Sequence, residues 1–248
     1  MNRYFINIAY KGTNYHGWQV QTNANSVQAE INKALSTILQ QTISVVGAGR
    51  TDTGVHAKEL FAHFEAKISL DLKTLQYKIN SFLPDDIAIN SIVKVKEDMH
   101  ARFSATFRTY EYHITSSKSP FLAESAFFFP YHLDIDKMNT VAKKIMEYTD
   151  FSCFSKSKTD TFTNDCTITE AYWKQENDHL IFTITANRFL RNMVRAIVGT
   201  LLDVGQGKLS EKDVINIIAS KNRSEAGQSV PAHGLFLVKV GYPVIIDN

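Results

Sequence analysis

Gly47-Ala48-Gly49-Arg50-Thr51-Asp52-Thr53-Gly54-Val55-His56-Ala57 is the stretch on which the reading of this chain turns. The apolar run Ile43-Ser44-Val45-Val46 precedes it and Leu60 to Phe64 follows it; both read as buried strands. The segment is therefore a turn leaving a strand. Its glycines, Gly47, Gly49 and Gly54, let the backbone take positive φ or approach a neighbour closely. An Arg placed two residues before an Asp gives this turn a cation and a carboxylate, and loops on a rigid scaffold present such groups to ligands. The same letters also fit a polar turn whose Asp caps the backbone.

Asp52-Thr53-Gly54 is also the tripeptide of aspartic proteases. Those sites need two carboxylates sharing a proton, and this chain has a single Asp-Thr-Gly, so a homodimer would have to supply the second. Arg50 argues against that design, because a nearby cation favours the ionised carboxylate. An ionised Asp52 suits a nucleophile or a base. The protease stays a minor alternative.

A chain of 248 residues with 44% hydrophobic content suits one large domain or two of moderate size with a real core. Its 27 Lys and Arg against 25 Asp and Glu neither demand nor exclude nucleic acid. Cys153 and Cys166 have no metal-ligand spacing, which points to a reducing compartment. Met1 to Phe5 lacks the apolar core of a signal peptide, and no apolar run reaches membrane-spanning length. A soluble cytoplasmic protein is expected.

Along the chain, residues 4–10 read as a strand, followed by a loop carrying Tyr15, Gly17 and Trp18. Val27, Ile31, Ala34, Leu35 and Ile38 have helical spacing behind an Asn25 or Ser26 cap. Strands at 43–47 and 59–65 flank the turn. A helix starts near Asp71 and ends by Pro84, and a strand covers 87–95. In the strand 106–114, Thr106, Arg108, Tyr110 and Tyr112 share a parity and would present one polar, aromatic face on which bases can stack. An ordinary half-buried strand fits the same residues. A helix near 135–146, a polar loop 152–165 with Lys156 and Lys158, and strands 166–174 and 179–187 follow.

The segment from Asn187 to Gly199 reads as a helix, apolar nearly all round, with Arg188, Arg191 and Arg195 on one face. A buried Arg195 wants a carboxylate partner, and Asp52 is the candidate; arginines reaching out to solvent are the alternative. Ser210-Glu211-Lys212-Asp213 opens another helix. Residues 222–233 are a polar loop with Arg223, and 234–242 a closing strand. The expected fold class is α+β, with two similar-sized halves, 1–105 carrying the Asp loop and 106–248 carrying the Tyr strand and Arg helix. Their antiparallel sheets are expected to join side by side, with an active-site cleft between the halves.

Four segments in order carry a resemblance to a known family. They are Tyr10-Lys11-Gly12-Thr13 with Gly17-Trp18-Gln19-x-Gln21; Gly49-Arg50-Thr51-Asp52-x-Gly54-Val55-His56-Ala57; Arg108-x-Tyr110-x-Tyr112; and Phe189-Leu190-Arg191-Asn192-Met193-Val194-Arg195 with Gly199. Together they resemble the tRNA pseudouridine synthase A (TruA) family over nearly the whole chain. Thr53 departs from the family's usual Ala, and Phe107-Arg108-Thr109 is less basic than in many members.

The resemblance implies isomerisation of uridine to pseudouridine at positions 38, 39 and 40 of the tRNA anticodon stem-loop, by a homodimer with no cofactor and no metal. It also implies Asp52 as the essential carboxylate, Tyr110 as the ring stacked on the base and a proton-transfer candidate, and Arg195 as the partner of Asp52. Arg50 would help displace the base, and Arg188 and Arg191 would bind substrate. The reaction breaks a C–N glycosidic bond, turns the base and joins C5 to C1′, so no phosphate loop or dinucleotide fingerprint is needed. Whether Asp52 attacks C1′, attacks the ring or removes the 2′ hydrogen stays open. A paired uridine must be flipped out, at a cost of a few kcal/mol. A non-catalytic RNA-binding module built on Tyr110 and Tyr112, and a pseudouridine synthase for another RNA, are the rival readings.

Overall fold

The computed structural model describes residues 1–67, 69, 71–156 and 162–243. Two compact units divide the chain, Met1–Thr106 with Phe236–Asn248, and Phe107–Leu235. Part of the polar loop read at 152–165, including Lys158, lies outside the described residues.

In the first unit, β1 (Asn2–Tyr10) lies between β3 (His56–Ala66) and β4 (Ile87–Val95), antiparallel to both. The two-residue β2 (Val46–Gly47) pairs with β3. α1 (Val27–Leu39) starts where Ser26 Oγ accepts the Ala29 N–H at 3.3 Å, and it buries Val27, Ile31, Ala34 and Leu35. α2 (Leu72–Phe82) is capped by Asp71, whose Oδ1 accepts the Thr74 N–H at 3.2 Å. It ends where Leu83, before Pro84, turns extended, as the proline ring requires of its predecessor.

The strand read at 43–47 pairs only from Val46. Side chains of α1 take the hydrogen bonds that a ladder would have supplied to Ile43 and Val45. Ile43 N donates to Ser36 Oγ and Val45 N to Asn32 Oδ1, both at 2.9 Å, and Gln28 Nε2 donates to the Val45 carbonyl at 2.7 Å. Backbone groups satisfied locally in this way have no need of a strand partner.

The second unit carries β5 (Phe107–Thr115), β6 (Phe127–Phe128), β7 (Ile168–Glu176) and β8 (His179–Ala186). β8 pairs antiparallel with β5 and β7, and β6 runs parallel beside β5. Its helices are α3 (Ile135–Ile145), α4 (Met193–Gly205) and α5 (Glu211–Ser220). α5 opens on a full capping box, with Ser210 Oγ accepting from Asp213 N at 3.2 Å and Asp213 Oδ2 accepting from Ser210 N at 2.8 Å.

The last strand, β9 (Leu235–Gly241), pairs parallel with β3 at His56–Phe236 and Ala57–Leu237. Glu59 Oε1 holds the Val240 N–H at 2.9 Å. The chain after Leu235 therefore packs with the first unit, whereas the sequence division kept 106–248 together. A strand's spatial neighbour is not encoded in its own alternation. The fold class is mixed α and β, with mostly antiparallel strands and, among the described residues, five α-helices. Among the described residues no helix is long and apolar enough to cross a membrane.

Buried His63 on β3 ties down the connector after β4 by accepting the Ala101 N–H on Nδ1 at 3.1 Å. Burial pushes its imidazole down to about 4; His100, with its ring 4.6 Å away, and Arg3 add to this, and Glu65 opposes it. A group depressed in the fold is protonated more readily in the unfolded chain. The stabilisation is therefore complete above about 6.5 and is lost as pH falls toward 4. The melting temperature should drop across that window, and His63→Asn, whose amide oxygen can still accept from Ala101, should flatten the drop; an unchanged pH profile would remove His63 from this role.

Candidate active site

Asp52 stands half-buried in the loop between β2 and β3, and Arg50 beside it is exposed. The loop carrying Tyr15 and Trp18 fixes the backbone around them. A Cβ on Gly12 would overlap the Val55 carbonyl, and one on Gly17 would overlap the Thr51 carbonyl. Gly17 also has φ +88°, a region that side chains avoid. Each close approach is accompanied by hydrogen bonds. Trp18 N donates to the Thr51 carbonyl at 3.3 Å and Gly54 N to the Tyr15 carbonyl at 3.4 Å, while Val55 N closes the turn onto the Asp52 carbonyl at 3.1 Å.

Side chains buried beneath the loop complete the cradle. The Tyr10 hydroxyl shares a 2.8 Å hydrogen bond with Thr51 Oγ1. His56 Nδ1 accepts the Gly12 N–H at 2.9 Å, which places the proton of the neutral ring on Nε2, and the ring stacks on Phe236 at 4.6 Å. Trp18 is buried with its indole against Gly47, where a Cβ would stand 2.6 Å from the ring. Tyr15 donates to Asp86 Oδ1 at 2.5 Å, and burial together with that carboxylate pushes its phenol well above the usual range. Sequence reading singled out Arg50 and Asp52 as candidates and did not name Tyr10 and His56 as supports of their loop, because the partners of those two lie far along the chain.

The remaining candidates lie in the second unit. Tyr110, half-buried on β5, meets Phe189 edge to face at 5.1 Å. Tyr112, two residues on, is fully buried and donates its hydroxyl to the Pro231 carbonyl at 2.8 Å. It is a core residue and takes no part in the base-stacking face expected from strand parity. Arg108 Nη1 is committed to the Asn187 carbonyl at 2.9 Å.

The arginine helix differs from its sequence reading. α4 begins at Met193, after Asn192 in the left-handed region at φ +67°. Arg188 and Arg191 therefore lie in the preceding loop and share no helical face with Arg195. That loop is held by its backbone, with Lys156 N donating to the Arg191 carbonyl at 3.1 Å. Arg188 reaches Thr163 Oγ1 at 3.5 Å, and Arg191 is exposed. Arg195 sits in the first turn of a helix whose other sides are almost wholly buried. Its Nε donates to the Val230 carbonyl at 2.7 Å.

A sequence profile described as tRNA pseudouridine synthase matches residues 6–104 and 148–243. The chain belongs to the tRNA pseudouridine synthase family. It is 50% identical over 244 residues to a tRNA pseudouridine synthase A of Parabacteroides distasonis, covering 98% of this chain and 97% of that protein. It is 51% identical over 245 residues to the protein of that name from Bacteroides fragilis, with 98% and 97% covered. The Thermoanaerobacter sp. protein of that name is 38% identical over 244 residues, with 98% and 100% covered. As a pseudouridine synthase family member the chain is an isomerase of tRNA uridine. The four segments that carried the resemblance lie inside the matched regions, except for Arg108-x-Tyr110-x-Tyr112, which falls between them.

In this pseudouridine synthase, Gly17→Ala should destabilise the fold by about 2 kcal/mol or more and displace Thr51 and Asp52, lowering turnover as well. Gly49→Ala, whose Cβ would meet nothing within 4 Å, should stay within about 0.5 kcal/mol of wild type. Urea unfolding checks both, and equal stability of the two variants would contradict the close packing of the loops.

Proposed function

We propose that this enzyme converts uridine to pseudouridine at positions 38, 39 and 40 of the tRNA anticodon stem-loop, with Asp52 as the carboxylate acting on a flipped nucleoside. The observation that carries the reading is the built loop. A half-buried acid stands on a backbone clamped by Gly12, Gly17, Tyr10 and His56, with an exposed guanidinium two residues away. The relatives' shared name, tRNA pseudouridine synthase A, supports the substrate class.

In the reaction the C1′–N1 bond breaks, the uracil turns and C5 bonds to C1′. The C5 proton is released, and N1 takes up a proton. A fixed carboxylate serves as the nucleophile or the base at the sugar or ring. Arg50, which is exposed, contacts phosphate and fills space vacated by the extruded base. Tyr110 stacks on the base, its plane set by Phe189, and is the proposed acceptor for the C5 proton. Arg195 is a functional cation of the reaction, and Arg188 and Arg191 bind the RNA backbone. A homodimer in the cytoplasm, working without cofactor or metal, completes the proposal; both cysteines are buried and unbridged, as a reducing compartment favours.

Undermodified tRNA transcripts with uridine at one of the three positions and cytidine at the other two test the substrate. Pseudouridine should form at each position in turn, and conversion confined to other sites would contradict the assignment. Tyr110→Phe should leave tRNA affinity within about threefold while slowing turnover about 100-fold, in the range of a lost proton-transfer group. Wild-type turnover would remove the phenol from that step.

A further inference from the structure

Gly199 and Thr200 open a notch in α4 in which residues 226–231 lie. A Cβ on Gly199 would overlap the Gln228 carbonyl, and one on Gly227 would stand 2.7 Å from the Thr200 nitrogen. The buried Thr200 hydroxyl accepts from Gly227 N and donates to the Ala196 carbonyl, each at 3.0 Å. Next in the loop, Ser229 Oγ accepts two hydrogen bonds, from Arg223 Nη2 at 2.8 Å and from Asn192 Nδ2 at 2.6 Å. Arg223 staples the same loop by donating Nη1 to the Ala226 and Gly227 carbonyls at 3.3 and 3.2 Å.

Val230 then forms a reciprocal pair with Arg195. Arg195 Nε donates to the Val230 carbonyl at 2.7 Å, and Val230 N donates to the Arg195 carbonyl at 3.2 Å. Pro231 accepts the hydroxyl of Tyr112, two residues from Tyr110 on β5. Three consecutive residues, Ser229 to Pro231, thus hold the cap of α4, the guanidinium of Arg195 and the strand of Tyr110. The guanidinium is a rigid plane, so tying its Nε to a carbonyl also restricts the direction in which its two terminal nitrogens point. The anchor that fixes Val230 therefore fixes that direction.

We propose that Ser229, held between Arg223 and Asn192, is a positioning residue for pseudouridine formation, acting through the Val230 backbone on Arg195. The inference rests on the reading of Arg195 as a functional group. Displacing a catalytic group by about 1 Å can cost up to 100-fold in rate without loss of substrate affinity.

The test follows tritium release from tRNA transcripts labelled at uridine C5. Ser229→Ala should lower kcat about tenfold with KM changed less than about twofold, and Ser229→Thr, which keeps the hydroxyl acceptor, should restore most of kcat. In an Arg195→Lys background, which lacks the Nε donor, Ser229→Ala should add no further loss, because residues acting through one another are non-additive. Wild-type kcat for Ser229→Ala, or a full further tenfold drop in the double variant, would overturn the proposal. Should Ser229→Ala not fold, Asn192→Gly removes one of the two donors at a position whose φ of +67° suits glycine. It should lower kcat with KM kept, and wild-type kcat would again overturn the proposal. Wild-type kcat for Arg195→Lys alone marks failure of the Arg195 reading instead, while a slow Arg195→Lys beside an unaffected Ser229→Ala marks failure of the positioning role only.

Discussion

Two backbone segments in the first unit approach each other so closely that side chains are excluded between them, and the candidate site depends on that approach. Gly12 lies against Val55 and Gly17 against Thr51, so Asp52 is carried by a loop whose two sides are both pinned. Tyr10 and His56 hold the same loop from below through Thr51 and Gly12. A loop held only at its ends would place a carboxylate over a range of positions. One held by close contacts, hydrogen bonds and a buried indole offers it at one, which a reaction at a single sugar or ring atom requires.

The second unit reaches the same end by a different route. Arg195 stands on a helix that is apolar on nearly every side, and a guanidinium there needs its donors satisfied. The loop after α5 meets part of that need with the Val230 carbonyl and braces itself through Ser229, Arg223 and Thr200. Tyr112 gives up any surface role to anchor the same loop at Pro231, while Tyr110 on the same strand stays half-buried beside Phe189. Burial pushes the Tyr112 phenol far up, with the Arg195 charge pulling it the other way, so this hydroxyl stays a protonated donor.

Much of this was legible in the chain because the signals are local. Asp71 and Pro84 bound α2, and Ser210 with Asp213 bound α5, through caps that span three residues. The Arg50–Asp52 turn was visible for its residue types, and its glycines for their rarity. What escaped was either unmarked by the apolar pattern or set at long range. Helical spacing continues back from Met193 through Arg188, yet Asn192 turns left-handed and breaks it, and nothing in the apolar pattern marks that residue. Strand alternation correctly put Tyr110 and Tyr112 on one face without revealing the carbonyl of Pro231 that buries one of them. Ile43 to Val45 has strand composition, and α1 side chains took its hydrogen bonds. The closing strand gave no sign that its partner would be β3.

The most direct test of the central claim is a comparison of wild type with Asp52→Asn in three readouts on the same preparation: thermal unfolding, affinity for unmodified tRNA, and tritium release from uridine C5. Loss of release to background, with the unfolding curve kept and affinity within about threefold, is the result the account predicts for a carboxylate that performs the chemistry and does not build the fold. Release at the wild-type rate would contradict it.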